Sequence, residues 1–210
     1  MAEILREIID DSSVYAVWRI TEDVEALRAA ISLKEDEESL FRTFVAESRK
    51  KQWLAYRILI RRLIEPEDFP VKYDAMGKPF LAGSSYHISV THTDDLAAVI
   101  ISRKRKVGID TEKIKPRIEK VKDKFLNESE LSLINKGTEL GQMTLVWCAK
   151  EALYKFYGKR NLDFREHIFV EVPACAGMEF SAEIRFEGKQ DKYHLFSGTI
   201  GDCILVYLLE

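Results

Sequence analysis

Hydrophobic and polar residues alternate in several short stretches of the chain, and this period of two predicts β-strands. The first such stretch, residues 14–20, is β-branched and aromatic. After Pro70 more stretches follow in quick succession, with the tightest turn at Asp94 and Asp95. They read FPVKY, GKPFL, YHISVTH, LAAVIIS and KVGID, and towards the C-terminus HIFVEV, FSAEIRF, KYHLFSG and CILVYLL. Strands of this kind favour antiparallel sheets.

Two longer stretches carry apolar residues at spacings of three and four, which predicts helices. One covers residues 47–64 and is ended by Pro66. The other covers about residues 143–157 and ends at Gly158. Three shorter helices are predicted from residues typical of helix N-termini. Their caps are Thr21, Ser32 with Glu35 as a capping box, and Asn127 with Glu130 as a second box whose helix should end at Gly137.

The order strand, helices, strands, then helices and strands again predicts an α+β fold. We expect two pseudo-symmetric halves, residues 1–102 and 103–210, each an antiparallel sheet packed with helices. No low-complexity or Pro- and Gly-rich linker separates them. The basic cluster at residues 103–106 should form a solvated hairpin turn.

Composition narrows the class of protein. The chain has 210 residues, of which 46% are hydrophobic, so it can build a real core. Its net charge of -3 argues against a general affinity for nucleic acid or an anionic membrane. The three cysteines lack a Cys-x-x-Cys pair, which argues against a disulfide framework or a zinc site. With no signal peptide or bilayer-spanning apolar run evident, we expect a cytoplasmic protein.

Two motifs stand out as candidate chemistry. In VGIDTE, Asp110 and Glu112 point to the same side of an extended strand, although a strand end in water tolerates two acids at little cost. In WCAKEALYK, Glu151 and Lys155 should lie one above the other on a helix, opposite a buried stripe. The ordinary interpretation of that pair is a solvated contact of about 0.3–0.5 kcal/mol.

Together with GKPFL and SVTH, these motifs resemble the 4'-phosphopantetheinyl transferase superfamily, in its larger, surfactin-synthetase-activating type. The resemblance covers about residues 49–162. It implies that coenzyme A binds in an active cleft between the two halves, with Mg²⁺ on its pyrophosphate. Three acids would then be metal ligands, because Mg²⁺ prefers carboxylate oxygens. They are Asp110, Glu112 and Glu151.

The same resemblance assigns the catalytic residues. Lys155 would neutralise or protonate the leaving phosphate of coenzyme A. Glu151 is a candidate base for the attacking serine, either directly or through a metal-bound water, and the sequence leaves both open.

Four residues would contact coenzyme A besides Lys155, and three of them have an ordinary alternative. Lys78 follows the turn at Gly77 and fits a phosphate contact, or else an exposed turn lysine. Thr91 and His92 would contact phosphates, although a strand-end histidine is more often simply hydrogen-bonded. Arg57 matches a family arginine near the adenine and 3'-phosphate, although arginines on helices are usually solvated.

The implied reaction moves 4'-phosphopantetheine from coenzyme A to a serine of an apo acyl or peptidyl carrier protein and releases 3',5'-ADP. A monomer would suffice, with no nucleic acid or membrane partner. One alternative is a metal-dependent phosphate-ester or pyrophosphate hydrolase that uses the same acids. Another is a non-catalytic scaffold, against which the retention of all three acids and Lys155 argues.

Overall fold

A computed structural model of the chain describes residues 2–158 and 161–210, which divide into two compact units, Met1–Lys106 and Val107–Glu210. Each unit is an antiparallel sheet packed with helices, so the predicted α+β class is confirmed. The cleft predicted between two halves of one transferase stays a prediction. No helix within the described ranges is both long enough and apolar enough to cross a membrane.

The first unit is built on a four-stranded antiparallel sheet with the order β1-β2-β6-β5 and a small hairpin of β3 and β4. The strands are β1 (Ala2–Asp10), β2 (Ser13–Arg19), β3 (Val71–Tyr73), β4 (Pro79–Leu81), β5 (His87–His92) and β6 (Leu96–Ser102). The helices are α1 (Val24–Ala29), α2 (Glu35–Arg42) and α3 (Glu47–Ile64). Helix α3 has the predicted bounds, and its apolar side packs with Trp18 and Val99 in the core of this unit.

Strand β1 was not predicted, since its sequence AEILREIID mixes acids with apolar residues and lacks a clean period of two. Two register irregularities against β2 break the alternation. As an edge strand it leaves Ile8 76% exposed, so burial imposes little pattern on it.

The predicted cap at Thr21 is wrong. Helix α1 begins after Asp23, whose carboxylate accepts a hydrogen bond from the Ala26 N–H at 2.8 Å. The backbone N–H of Thr21 instead donates to the Glu22 carboxylate at 3.1 Å. An ionised carboxylate two residues further on therefore takes the capping role.

The predicted Ser32 and Glu35 capping box is also wrong. Helix α2 begins after Lys34, and the carboxylate that accepts from the Lys34 N–H, at 3.2 Å, belongs to Glu37. Glu37 is 3% exposed and is held by arginines of α3. The box therefore lies two residues later than predicted, and the ion pairs of Glu37 with α3 are contacts that the local sequence does not show.

The second unit contains a five-stranded antiparallel sheet with the order β7-β11-β10-β9-β8. The strands are β7 (Val107–Lys113), β8 (Ile168–Val170), β9 (Glu179–Phe186), β10 (Lys189–Ile200) and β11 (Cys203–Leu209). A 3₁₀ helix (Pro116–Lys124) precedes α4 (Glu128–Ser132) and α5 (Glu139–Tyr157). Helix α5 packs on β7 and β11 and supplies much of the core of this unit.

The predicted box at Asn127 is confirmed, since its side chain accepts from the Glu130 N–H at 2.9 Å and the Glu130 carboxylate accepts from the Asn127 N–H at 3.0 Å. The helix ends at Ser132, however, and not at Gly137. Helix α5 begins at Glu139, earlier than predicted, and ends as predicted at Gly158, which has φ +70.

The basic cluster does not form a hairpin turn. It joins β6 to β7, and these strands belong to different sheets. Its charges instead pair with acids of the first unit, Lys104 with Asp11 at 3.2 Å and Arg105 with Asp10.

Candidate functional site

Asp110 and Glu112 lie on the same face of β7, as the alternation predicts. Their partners across the ladder are Val206 and Ile204 of β11, whose side chains pack in the core with α5. Asp110 is 6% exposed and Glu112 is half-buried. The two acids are therefore held against α5, which excludes the interpretation of a fully exposed strand end.

Gly108, on the same face, lets α5 come close to β7. A Cβ atom at this position would lie 2.3 Å from the Ala152 carbonyl oxygen and 2.9 Å from the Phe156 Cβ. Any side chain here would push the helix away. The glycine of VGIDTE thus brings the Glu151 to Lys155 turn of α5 to the acids of β7.

Lys155 contacts β7 directly. Its Nζ donates to Asp110 Oδ1 at 2.6 Å and to the Ile109 carbonyl oxygen at 3.2 Å. The side chain of Lys155 is 28% exposed and that of Asp110 is 9% exposed, so water screens this pair only in part. Lys155 therefore belongs to the acidic site and not to a solvated helix face.

The pKa of Glu151 depends on the charged groups around it. Burial, followed by the negative charge of Asp110, raises the pKa of the Glu151 carboxyl from 4.5 to about 7, and Glu112 adds to the rise while Lys155 opposes it. Three carboxylates from a strand and a helix thus share one electrostatic environment. Asp110 and Glu112 both disfavour the ionisation of Glu151.

Cys148 lies one turn before Glu151 and is fully buried. Its Sγ lies 3.8 Å from the Ile204 carbonyl oxygen. Burial, then the charges of Asp110 and Glu112, raise the pKa of this thiol well above its usual range. Cys148 is therefore a neutral side chain that lines the acidic site and is not a nucleophile.

The donor chemistry of this site suits a divalent cation, although the described side chains do not converge on one. Within residues 2–158 and 161–210, no group of three or more His, Cys, Asp or Glu side chains is arranged to hold a metal ion. Three carboxylates are nevertheless the hard oxygen ligands that Mg²⁺ prefers. Burial, and then the negative charge of Asp110, raises the pKa of Glu151, and a cation at this site would offset both effects. The residues therefore fit Mg²⁺ by chemistry.

Sequence reasoning missed Lys150, which neighbours Glu151 and is 0% exposed. Its ammonium lies 2.7 Å from Glu130 Oε2 and 2.7–2.8 Å from the carbonyl oxygens of Phe125, Phe164 and Ile168. These contacts tie α5 to the segments on either side of it. The available signal was the position of this lysine in a helix whose residues are apolar on most sides, which indicates a buried and paired ammonium.

The predicted coenzyme A residues Arg57, Lys78, Thr91 and His92 all belong to the first unit. Lys78 is half-buried, and its backbone N–H donates to Asp74 Oδ1 at 2.9 Å. Burial and then the neighbouring Lys106 lower the pKa of its ammonium. A lysine in a simple turn is usually exposed and does not carry the free energy cost of burying its ammonium. The contact of Lys78 with phosphate stays a prediction.

Thr91 and His92 end β5. Thr91 is 5% exposed, and His92 is half-buried with its Nε2 3.0 Å from Arg49 Nη1. His92 is thus the hydrogen-bonded strand-end histidine of the ordinary interpretation. The predicted contact of Thr91 and His92 with phosphates of coenzyme A stays a prediction.

Arg57 lies inside the first unit, where it is 1% exposed. Its guanidinium contacts Glu37 Oε1 at 3.2 Å and the Tyr56 hydroxyl at 2.7 Å, and it stacks 3.5 Å from the centre of the Trp53 ring. The solvated interpretation is therefore excluded. One buried nitrogen, Nη2, has no hydrogen-bond partner among the described residues, and a contact with coenzyme A stays a prediction.

Comparison with known proteins places the site within a matched region. The family profile described as the 4'-phosphopantetheinyl transferase superfamily matches residues 106–205, which include all three acids and Lys155. The 4'-phosphopantetheinyl transferase AcpT of Salmonella typhi is 30% identical over 116 residues, covering 52% of this chain and 60% of that protein. The chain thus spans about 60% of the length of this relative.

Two further relatives match at lower identity. The 4'-phosphopantetheinyl transferase HetI of Nostoc is 25% identical over 160 residues, or 68% of each chain. AcpT of Escherichia coli K12 is 27% identical over 138 residues, covering 60% of this chain and 70% of that protein.

Proposed function

Because residues 106–205 match the profile of the 4'-phosphopantetheinyl transferase superfamily, we propose that this chain transfers the 4'-phosphopantetheine of coenzyme A to a serine of an apo carrier protein. The products would be the holo carrier and 3',5'-ADP. Within the superfamily we assign the chain to the larger, surfactin-synthetase-activating type, on the motifs VGIDTE, WCAKEALYK, GKPFL and SVTH.

One observation carries the proposal. Lys155 lies 2.6 Å from Asp110, on a helix turn that also presents Glu151 with a pKa of about 7. The site therefore combines a fixed positive charge with a carboxyl that exchanges its proton near neutral pH. Phosphoryl transfer needs both, since it depends on charge neutralisation and on proton transfer from the nucleophile.

The serine oxygen attacks the β-phosphorus of coenzyme A and forms a new P–O bond. The bond from that phosphorus to the oxygen bridging to the α-phosphate breaks, and 3',5'-ADP leaves. Glu151 accepts the serine proton, either directly or through a water molecule, and Lys155 neutralises or protonates the departing phosphate.

Asp110, Glu112 and Glu151 would hold Mg²⁺, which when bound would neutralise charge on the pyrophosphate. In the described structure Lys155 supplies the positive charge beside Asp110. The lysine thus limits the repulsion among the three acids.

The first unit would supply further contacts to the phosphates of coenzyme A. Lys78 offers a point charge and Thr91 and His92 offer hydrogen-bond donors, with Arg57 proposed near the 3'-phosphate. We further propose that the protein is a cytoplasmic monomer without nucleic acid or membrane partners.

The release of 3',5'-ADP tests the transfer. The full chain is incubated with Mg²⁺ and coenzyme A in three parallel samples, with an apo carrier, with the same carrier lacking its serine, and without a carrier. We expect release only with the intact carrier. Equal release in all three samples would identify the alternative, a metal-dependent pyrophosphate hydrolase.

Asp110→Asn tests whether the transfer needs the carboxylate of Asp110. We expect this variant to lose carrier-dependent release of 3',5'-ADP while its far-ultraviolet circular dichroism spectrum, which reports the fold, stays unchanged. The matched control is Asp202→Asn in the same unit, because Asp202 also pairs with a lysine, Lys113 at 2.7 Å, but is 58% exposed. Unchanged turnover in Asp110→Asn would remove Asp110 from the site.

A further inference from the structure

Lys150 and Glu130 form a buried ion pair to which the proposed reaction assigns no role. Their side chains are 0% and 3% exposed, and Lys150 Nζ lies 2.7 Å from Glu130 Oε2. The same Nζ donates to the carbonyl oxygens of Phe125, Phe164 and Ile168 at 2.7–2.8 Å. We call Lys150 with these four oxygen acceptors the Lys150 clamp. It joins α5 to the segment before α4, to the loop after α5 and to β8.

Glu130 is itself held at both carboxylate oxygens. Oε1 accepts from the Val170 N–H at 2.8 Å, and Oε2 accepts from the Asn127 N–H at 3.0 Å as well as from Lys150. Asn127 caps α4 and Val170 lies in β8, so two backbone segments fix the place of the carboxylate. The place of the ammonium that pairs with it is therefore fixed as well.

The pair costs free energy that apolar side chains would not cost. Burial lowers the pKa of the Lys150 ammonium, and the negative charge of Glu130 opposes this shift. Replacing a buried ion pair by apolar side chains of similar volume is often neutral or stabilising. What such a pair can supply instead is one defined arrangement, because its hydrogen bonds need particular partners at particular places.

Apolar packing alone does not fix the rotation of α5 about its axis. All residues from Leu145 to Leu153 are buried or half-buried, so this part of the helix is surrounded by packed side chains. A helix of this kind can turn and still bury apolar groups. A buried ammonium with directed hydrogen bonds favours one rotation.

The rotation of α5 decides which side chains face β7 and β11. Successive helix residues are about 100° apart, so the position of Lys150 sets the direction of Glu151. Cys148, Glu151 and Lys155 follow at spacings of three and four and share one side of the helix. On this side Cys148 Sγ lies 3.8 Å from the Ile204 carbonyl oxygen of β11. A fixed contact at Lys150 thus holds that side toward the acids of β7.

We propose that Lys150 is a positioning residue that, together with Glu130, sets the rotation of α5 and so presents Glu151 and Lys155 to Asp110. Lys150 is fully buried and acts through these two residues. The consequence for turnover rests on the proposed function, whereas the setting of the helix does not.

The thiol of Cys148 reports the rotation of α5 without any substrate. The full chain is treated with N-ethylmaleimide, and the labelled peptides are quantified by mass spectrometry. Cys175 is exposed and serves as the fast reference, while Cys203 is buried in β11 and reports a general loosening of the unit. In Lys150→Met we expect Cys148 to be labelled about tenfold faster than in wild type, with Cys203 unchanged.

A matched control separates positioning from stability. Lys150→Met leaves the Glu130 carboxylate buried without its ammonium, so this variant also loses stability. Leu195→Ala opens a cavity in the core of the same unit at a residue outside the Lys150 clamp. In this control Cys148 and Cys203 should change by the same factor.

A second variant keeps the test decisive if Lys150→Met does not fold. Glu130→Gln retains the size of the side chain and removes its charge, and it should also accelerate the labelling of Cys148 selectively. Labelling of Cys148 at the wild-type rate in the folded variant, or an increase no larger than that of Cys203, would refute the positioning role.

Kinetics link the rotation of the helix to turnover. Lys150→Met should lower kcat about tenfold with a smaller change in KM for coenzyme A, because Glu151 and Lys155 lose their setting. In a Lys155→Ala background the same change should lower kcat by a smaller factor, since part of its effect passes through Lys155. Equal factors in both backgrounds would contradict this link. A wild-type chain without transfer activity would refute the proposed function, while the labelling of Cys148 would still decide the setting of α5.

Discussion

At the scale of single residues, the chemistry of the site depends on the mutual influence of Asp110, Glu112, Glu151 and Lys155. Burial, and then the negative charge of Asp110, raises the pKa of Glu151 from 4.5 to about 7. The folded chain therefore holds a proton at a pH at which the unfolded chain releases it. The negative charge of the carboxylates gives the site its expected affinity for a divalent cation.

The raised pKa of Glu151 predicts a pH-dependent stability in the absence of metal. A carboxyl whose folded pKa exceeds its unfolded pKa stabilises the fold fully below about pH 4.5, and this contribution is lost as the pH rises through about 7. Glu151→Gln should remove the loss, so that between pH 5 and pH 8 the variant gains about 1–3 kcal/mol relative to wild type. Urea unfolding at both pH values measures the difference. A difference between the two proteins that does not change with pH would contradict the assignment.

Lys155 should matter more for turnover than for binding. Lys155→Ala is expected to lower kcat about a hundredfold, because the positive charge acts mainly on the departing phosphate, with a smaller change in KM for coenzyme A. Steady-state kinetics of carrier loading measure both constants. The control is Lys120→Ala, an exposed lysine of the same unit. A loss confined to KM would refute the role of Lys155 in the transition state.

At the scale of the elements, the contact between β7 and α5 assembles the site, and Gly108 permits it. The sequence indicated both elements and the face on which the acids lie, since the alternation of VGIDTE and the helical spacing of WCAKEALYK are local patterns. It did not indicate that Lys155 contacts Asp110, or that Lys150 is buried against Glu130. These contacts depend on how a helix packs on a strand, and a single sequence does not contain that information.

Gly108→Ala should therefore damage both the fold and the site. The added Cβ would lie 2.3 Å from a backbone oxygen of α5, so we expect a loss of about 2–4 kcal/mol in the free energy of unfolding. Gly198→Ala in β10 is the matched control, because nothing lies within 4 Å of its Cβ. It should change stability by less than about 0.5 kcal/mol. Equal stability of the two variants by urea unfolding would show that the close approach is not required.

At the scale of the whole molecule, the α+β class and the arrangement of sheets with packed helices were predictable, because the periodicities are strong in the long helices and in the central strands. The exposed edge strand β1 and the connection at residues 103–106 were not. An edge strand buries few side chains, so its sequence needs no regular alternation. A basic connection has the same sequence pattern whether it joins two strands of one hairpin or strands of two sheets. The family match covers residues 106–205. The description of the first unit therefore depends on the contacts within that unit.

The most direct test of the central claim is the intact mass of an apo carrier protein after incubation with the full chain, Mg²⁺ and coenzyme A. A small panel of acyl and peptidyl carriers from fatty acid, polyketide and nonribosomal peptide synthesis covers the expected substrates. We predict that at least one carrier gains the mass of one phosphopantetheine, and that the gain disappears when its serine is replaced by alanine. A panel in which no carrier gains mass would contradict the claim.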